Sequence, residues 1–438
     1  LDGVTLTLNA MGDESKVADQ SRVAFVSGKV TGAANEDVIS NLQTLNAYAD
    51  GNSIVFSKNF RSVADLNQNQ RNTSAALADL EDHTEINGEM ADVMDALHHT
   101  RSADETRAAL DSLGGAGLAA VAKMATDDAH DHLQALRGNL KALSTGVDYR
   151  YENGERIPGI QSTAISAAVT GGTTSVQGGI APKYQRDSIG ALVSGVHAIT
   201  HEWLGGISLG YTRSKGDCGP VDLKSDALYL DVAMIRRGRS VTHTATLGLG
   251  SYDFDTTRHV AVNAPGHGYA GTAKGSSSAM LVDLSYEAVA TVIANEKHNF
   301  SGVFQADLVF GEFRGLTEKG MGNAGLRSEY DDVASLNFGI GGRYTYSFGP
   351  KNNPGYLAVE AMFVADAGDR DAVVKNTFIA GGQTFEEKGP DAGACGFRVN
   401  GGALIPVGQH WGVFGNVSSE FRSHQTSVSG SVGVKYAF

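Results

Sequence analysis

The chain ends with the stretch Val428-Ser429-Gly430-Ser431-Val432-Gly433-Val434-Lys435-Tyr436-Ala437-Phe438. Its apolar side chains alternate with small or polar ones, which is the two-residue period of a β-strand with one apolar face. The stretch is as long as a tilted strand that crosses a bilayer, about 9–11 residues, whereas soluble strands average about 5–6 residues. It therefore predicts a membrane-crossing strand.

The same alternation recurs upstream, in roughly twelve runs of about 10–13 residues between residues 161 and 438. Short and long connections alternate between the runs, with the long ones at about 172–187, 214–224, 255–277, 314–330 and 366–394. Aromatic residues collect near both ends of the runs, as in outer-membrane barrels. An even number of antiparallel strands can close and leave no unpaired edge in lipid. We predict an all-β transmembrane barrel of about 12 antiparallel strands over residues 161–438; a soluble sandwich shares the alternation but has shorter strands.

Residues that alternate with the apolar set are expected to face the barrel interior. They include charges of both signs, which indicates a hydrated lumen and not a lipid-facing surface. The predicted lumen-facing residues are Asp231, Asp283, Glu287, Asp307, Arg343, Glu360, Arg398 and Lys435.

A helical junction is predicted over residues 62–160. Apolar residues recur there at helical spacing, with a break near Asn87-Gly88 and a capping-box sequence at Ser102–Glu105. The last helix is predicted over residues 117–143 and would extend about 40 Å at 1.5 Å per residue. Its charged side chains could not face lipid, so we expect this helix to lie in the polar lumen; a solvated helical bundle fits the same periodicity. These pore-helix charges are Lys123, Asp128, Asp131, Arg137 and Lys141.

Residues 1–61 contain short alternating runs separated by Gly, Asn and Asp, which predict strands and turns. The segment is too short for a convincing core of its own. Two interpretations stay open, a frayed extension or the end of a repetitive β structure. The chain starts at Leu1 without a Met or a signal sequence, so we expect it to be part of a longer protein.

The composition argues against several classes of function. The 438 residues carry a formal charge of −14, which argues against a nucleic-acid-binding protein. His98-His99 and the pair His130 and His132 lack the spacing of an HExxH motif, so we expect solvated helix surfaces and neither a metal nor another cofactor. No catalytic residues are predicted, because the sequence contains no GxSxG or Walker pattern.

The two cysteines, Cys218 and Cys395, lie in or beside predicted long connections, which places both at one rim of the barrel. An oxidising envelope permits a disulfide between them. The two strands are about half a barrel apart in the predicted order of strands, however, so paired and free thiols are both open.

Several motifs along residues 62–438 occur in the order and spacing found in the autotransporters of type V secretion. The stretch Leu66–Gln70, followed by Ala75–Leu77, resembles the junction of that family. The segment Phe313–Gly320, which contains Glu318, resembles its aromatic-x-Glu-x-Gly element, and Gly433–Phe438 is similar to its ending of Gly, an apolar residue, Arg, Tyr, any residue and Phe. The chain thus resembles a C-terminal translocator barrel with its junction region.

The resemblance implies a barrel in the bacterial outer membrane, with a helix through its pore, that anchors and exports its own N-terminal passenger. It implies help from periplasmic chaperones and from the barrel assembly machinery, for which Tyr436 and Phe438 would form the assembly signal. Residues 1–61 would be the end of the passenger and lie outside the cell, whereas the C-terminus would be periplasmic. We expect a monomer in outer-membrane lipid. The alternative is a porin-like channel, or a surface enzyme or adhesin, with a structural helical plug.

Overall fold

Twelve antiparallel strands close into a barrel. In chain order they are β1 (Thr163–Val176), β2 (Tyr184–Ala198), β3 (Trp203–Cys218), β4 (Val221–Arg237), β5 (Val241–Val262), β6 (Tyr269–Ala294), β7 (His298–Phe313), β8 (Val333–Phe348), β9 (Gly355–Gly368), β10 (Cys395–Val407), β11 (Trp411–Arg422) and β12 (Gln425–Ala437). The computed structural model describes residues 3–11, 17–18, 20–27, 31, 34, 37–42, 45–152, 155–157, 160–350, 353–368 and 372–438. The fold class predicted from the sequence is confirmed.

Each strand pairs with its neighbours in sequence, and β12 pairs with β1 to close the barrel, where Tyr436 lies opposite Ile165. Side chains alternate between the two surfaces of the wall. In β4, Leu228 and Leu230 are 51% and 49% exposed, whereas Asp231 is 1% exposed. Because the exposed apolar side chains form a band that a soluble monomer would not leave in water, this outer surface is the one that lipid covers.

The connections differ at the two ends of the barrel. One end, the short-turn end, carries residues 199–202, 238–240, 295–297, 349–350, 353–354 and 408–410. The opposite end, the long-loop end, carries the segments 314–332 and 372–394.

Two predicted long connections prove to be mostly strand. The stretches 214–224 and 255–277 continue the pairing of β3 to β6, and β3 meets β4 at the tight turn Gly219-Pro220. The outward residues of these extensions, such as Lys215 and Asp222, are charged and exposed. The strands therefore rise beyond the apolar band, where no apolar alternation distinguishes a strand from a loop.

Four helices precede the barrel: α1 (Gln68–His83), α2 (Gly88–His98), α3 (Ala103–Gly114) and α4 (Ala120–Ser144). Ser102 and Glu105 form the predicted capping box at the start of α3. Gly115 ends α3 with a φ of 74°, in the left-handed region where glycine is not strained, and the 3-10 turn Ala116–Ala119 leads into α4. Within the part of the chain that the structure describes, no helix is both long and apolar enough to cross a membrane.

Helices α1, α2 and α3 cover the long-loop end of the barrel. Apolar side chains of the helices and of the loops, among them Leu80, Leu113 and Phe378, form one buried core. Four short loop strands contribute a sheet to it: Leu316–Thr317, Leu326–Tyr330, Val373–Phe378 and Gly381–Lys388. We call α1 to α3 together with this loop sheet the cap.

The N-terminal residues form small sheets beside the cap. Ser57 of one strand donates a hydrogen bond of 3.3 Å to the backbone oxygen of Thr100, between α2 and α3. The strands are Leu6–Leu8, Arg22–Ala24, Val38–Ser40, Leu45–Asp50 and Ser53–Lys58, and a further hairpin, Tyr151–Glu152 with Glu155–Arg156, lies between α4 and β1.

Candidate functional site

Helix α4 fills the lumen of the barrel. It begins at the long-loop end, where Gly117 just before it lies against Cys218 and Val221. It ends at the short-turn end, where Arg237 donates a hydrogen bond of 2.7 Å to the backbone oxygen of Val147. Side chains are buried on every face of the helix, so its polar groups need partners in the barrel wall.

Arg186 of β2 binds two carboxylates of the helix. Its Nη1 donates to Asp128 Oδ1 at 2.6 Å, and its Nη2 donates to Asp131. Asp128 also accepts hydrogen bonds from Ser214 at 2.6 Å and Ser225 at 3.2 Å. Arg186 and Asp128 have no exposed side-chain surface, so these hydrogen bonds are what offsets the loss of water around both charges.

His132 of α4 lies against β3 and β4. Its Nε2 is 2.9 Å from Asp231 Oδ2, and its ring stacks on Tyr229 with centroids 4.2 Å apart. Gly210 makes room for this ring, since a Cβ at that position would collide with it. The expectation that His132 lies on a solvated helix surface is wrong, because the barrel wall covers the helix on this side.

Lumen carboxylates around the middle of α4 form a network with arginines. Arg137 of α4 donates to Asp307 Oδ1 at 2.5 Å. Arg343 of β8 donates to Glu287 at 2.7 Å through Nη2 and to Glu360 at 2.7 Å through Nε. The helix thus contributes one cation, Arg137, to a wall in which arginines such as Arg343 already pair with carboxylates of the wall.

Asp283 of β6 is an exception within this network. It lies next to Asp231, and a Cβ at Gly248 would collide with both carboxylates. Neither of its carboxylate oxygens has a hydrogen-bond partner among the described residues. The wall therefore holds an acidic side chain that no hydrogen-bond donor of the described residues satisfies.

Both ends of α4 have charged partners. At the short-turn end, Lys435 of β12 donates to the backbone oxygens of Ala142, at 3.1 Å, and Thr145. The last carbonyls of a helix lack intrahelical partners and lie at the negative end of its dipole, which suits a lysine. Lys141 lies 4.6 Å from the centroid of the Tyr356 ring. Toward the long-loop end, Lys123 pairs with Asp127 one turn along the helix.

Little space is left beside the helix. One cavity, lined by Gln134 and Gly138 of α4 and by Asn400 and Asn416 of the wall, offers about 90 Å³ to water-sized occupants. That is room for several water molecules. The lumen beside α4 has room for water but is not an open pore.

The structure brings all the predicted lumen-facing residues and pore-helix charges into the interior of the barrel. Arg398 of β10 joins them through a hydrogen bond of 2.7 Å to Glu420. Arg186 is not among the residues predicted to face the lumen, because it lies in the stretch 172–187, which is predicted to be a long connection. The alternation that starts at Ile189, an outward residue of β2, continues back to Arg186 at an inward position and could have identified it.

A further buried ion pair joins the cap to the barrel. Arg258 of β5 donates to Glu318 Oε1 at 2.9 Å, and neither side chain is exposed. Its Nη1 donates to the backbone oxygens of Ser112 at 2.9 Å and Leu113 at 3.1 Å. These are carbonyls of the last turn of α3, so Arg258 satisfies groups that the helix itself leaves unpaired. Glu318 is the residue singled out by the aromatic-x-Glu-x-Gly resemblance.

Glu387 is a buried carboxyl group of the cap. It lies in the strand Gly381–Lys388 and accepts a hydrogen bond of 2.6 Å from Thr73 Oγ1 of α1. Burial raises the pKa of Glu387 well above its usual value. The cap therefore favours the protonated form of this group.

The C-terminal aromatic residues face outward at the short-turn end. The ring of Tyr436 lies 4.8 Å from that of Trp411, and the backbone N–H of Phe438 donates to Thr163 O at 2.8 Å. The two cysteines do not form a disulfide: Cys218 is a buried free thiol and Cys395 is an exposed one. Their strands, β3 and β10, lie far apart around the barrel, which is the physical reason.

Comparison with known proteins places this architecture. Residues 165–418 match the family model described as the autotransporter beta-domain. No curated protein matches the chain. The solved translocator domain of the autotransporter NalP from Neisseria meningitidis aligns with a TM-score of 0.52 at 16% identity, over 71% of this chain and 98% of that one. The beta domain of the Bordetella autotransporter BrkA aligns with a TM-score of 0.46 at 13% identity, over 63% of this chain and 100% of that one.

The likeness to NalP shows the same fold, a closed barrel. The family model covers more than half of the chain and includes nine of the twelve strands in full, β2 to β10. The chain therefore belongs to the autotransporter beta-domain family.

Proposed function

We propose that this chain anchors an N-terminal passenger in the outer membrane and exports it to the cell surface. The observation that carries the proposal is the path of the chain through the barrel. The described residues before α4 lie at the long-loop end, and α4 then runs through the lumen to the short-turn end, where β1 begins. A chain that has been drawn outward through the barrel would end in this arrangement.

The orientation follows from the lengths of the connections. Outer-membrane barrels have short periplasmic turns and longer extracellular loops. The N-terminal residues and the cap would then lie outside the cell, and Phe438 would lie on the periplasmic side. We assign residues 1–61 to the end of the passenger or a β extension, residues 62–160 to the junction with the pore helix, and residues 161–438 to the translocator barrel.

The partners follow from the same assignment. The passenger is bound in cis, and outer-membrane lipid contacts the apolar outer surface. We propose that periplasmic chaperones and the barrel assembly machinery receive the chain, with Tyr436 and Phe438 as the assembly signal. Both aromatic side chains lie on the outward surface beside the seam between β12 and β1, where a machine that closes the barrel could bind them.

A porin-like channel is the less favoured alternative. Ion pairs such as Arg186 with Asp128 and Arg137 with Asp307 fasten α4 inside the lumen, and the cavities described beside it are small, about 90 Å³ and 60 Å³. An open channel would need that helix to leave. The family is one of translocator barrels and not of enzymes, and we assign no catalytic residue.

The experiment that tests the proposed function is an export assay in a Gram-negative host. A signal sequence and an epitope tag are placed before residue 1, and intact cells are probed with antibody and with added protease. Export predicts an accessible tag in intact cells, and a matched chain without residues 425–438 should lose it. If the tag stayed protected while the barrel was folded in the outer membrane, the proposal would be wrong.

A further inference from the structure

Two histidines and two aspartates from three separate parts of the chain meet beside the cap. Asp95 lies in α2 and His99 directly follows that helix, His267 lies in the loop between β5 and β6, and Asp37 precedes the strand Val38–Ser40. The rings of His99 and His267 are parallel, with centroids 3.6 Å apart. One ligand atom each from Asp37, His99 and His267 lie within 4.8 Å of one another.

Asp95 holds the Nδ1 atom of both rings. His99 Nδ1 is 2.7 Å from the backbone oxygen of Asp95, and His267 Nδ1 is 2.9 Å from its carboxylate. Because both oxygens can only accept, both Nδ1 atoms carry a proton, and each neutral ring has its lone pair on Nε2. Histidines that bind metals are oriented in this way, since they donate the second ring nitrogen to a carboxylate or a backbone carbonyl.

The two Nε2 atoms face the carboxylate of Asp37. His267 Nε2 is 3.2 Å from one of its oxygens, and His99 Nε2 is 3.9 Å from the other. A lone pair that faces a carboxylate is repelled by it, and either a proton on the ring nitrogen or a metal ion between the two groups removes this repulsion. Two ligands of one tetrahedral zinc ion, with bonds of about 2.0–2.2 Å, lie about 3.4 Å apart. His267 and Asp37 already have this spacing, and a tilt of the two parallel rings would direct both lone pairs at one ion.

We propose that Asp37, His99 and His267 form a binding site for a divalent transition-metal ion such as Zn²⁺, in which Asp95 orients both imidazoles. Two imidazoles and a carboxylate are zinc ligands, whereas Ca²⁺ and Mg²⁺ prefer oxygen ligands alone. All three ligand side chains reach solvent, so water completes the coordination. The ion joins the N-terminal segment, α2 and a barrel loop, and thereby fastens that segment to the rim of the barrel.

The test is a metal titration of the full chain folded in detergent micelles. Co²⁺ should give the visible absorption of a tetrahedral site with one ion per chain, and Zn²⁺ should displace it. His267→Ala and Asp37→Ala should each weaken Zn²⁺ binding by about 100-fold or more, and Asp95→Ala by about 10- to 100-fold. The matched control is His259→Ala, which removes a histidine of β5 that has a single carboxylate neighbour, Asp222, at 3.1 Å; this variant should bind Zn²⁺ as the unmodified chain does.

A second readout is limited proteolysis of residues 38–60. Zn²⁺ should slow cleavage there and a chelator should restore it, in the unmodified chain but not in His267→Ala. Asp37 is exposed, so its replacement leaves the barrel folded. Heat-dependent gel mobility checks that the barrel is folded in every variant. The proposal is overturned if the unmodified chain has no saturable one-to-one site, or if binding survives both His267→Ala and Asp37→Ala. Neither outcome depends on passenger export.

Discussion

Arg186 of the barrel wall and Asp128 of the pore helix form an ion pair of 2.6 Å in which neither side chain has exposed surface. The pair fixes both the depth and the rotation of α4, because Arg186 also reaches Asp131 one turn further along the helix. A buried ion pair contributes little net stability by itself, but the loss of one partner is costly. Arg186 is therefore the residue at which the seating of the helix can be tested.

Replacement of Arg186 by Ala should loosen α4 in the lumen. It leaves Asp128 and Asp131 without their cation, at a cost of about 3–5 kcal/mol. We expect larger and noisier single-channel currents in planar bilayers. The temperature at which heating changes the mobility of the protein on a gel should be lower. Arg213→Ala, which removes the exposed pair with Asp226, is the control and should change stability by less than about 1 kcal/mol. Currents unchanged in Arg186→Ala would contradict the role of this pair.

Replacement of Gly210 by Val should displace the pore helix. A side chain at this position overlaps the ring of His132, and overpacking of a filled interior costs about 1–3 kcal/mol. Hydrogen exchange of α4 backbone amides should become faster than in the unmodified chain. Gly302→Val is the matched control, because a Cβ at that strand position meets no atom within 4 Å; equal exchange rates in the two variants would refute the prediction.

Replacement of Arg258 by Ala should detach the cap from the barrel rim. The variant leaves Glu318 buried without its partner and removes two hydrogen bonds to the last turn of α3. Protease should then cleave α1 to α3 faster, while the barrel itself stays intact. Lys375→Ala removes only an exposed pair with Asp331 and should leave the cap resistant. Resistance in both variants would mean that apolar packing alone holds the cap.

The stability of the cap should fall as the pH rises above the usual pKa of a glutamate. The pKa of Glu387 is raised in the folded protein by burial, so the folded state binds more protons than the unfolded state between the two pKa values. Stability is therefore greatest below the unfolded pKa, about 4.3, and is lost up to the folded pKa. Glu387→Gln should flatten the dependence of cap stability on pH. Thermal melts followed by near-ultraviolet circular dichroism measure this dependence. If the stability of the cap depended on pH with the same slope in both proteins, Glu387 would not be the source of that dependence.

The two thiols should differ in their reactivity toward a maleimide, and no reductant should be needed for labelling. Cys395 is exposed and Cys218 is buried, so a maleimide should label the folded protein once, at Cys395. Unfolding should make the second thiol available. Labelling that requires a reductant would instead indicate a disulfide and contradict the separation of β3 and β10.

The barrel could be predicted from the sequence because lipid acts on each strand locally. A membrane gives every outward residue, such as Leu228 or Leu230, the same apolar surroundings, so the two-residue period is present in each strand by itself. Asp231 and Lys435 alternate with the outward apolar residues of their own strands, so their inward positions follow from the alternation alone. The Ser102 capping box is equally local, since its partners are three residues apart.

The partners of the inward charges were decided only by the tertiary structure. Arg186 meets Asp128, and His267 meets His99 and Asp37, because helix depth, helix rotation and loop packing bring distant parts of the chain together. The extensions of β3 to β6 escaped prediction for a related reason, since their outward residues face water and keep no apolar period. The amino-acid sequence by itself determined which way each membrane strand faces, because the bilayer acts on one residue at a time. The tertiary structure alone decided which charges pair inside the barrel, because pairing depends on distances that no local pattern records.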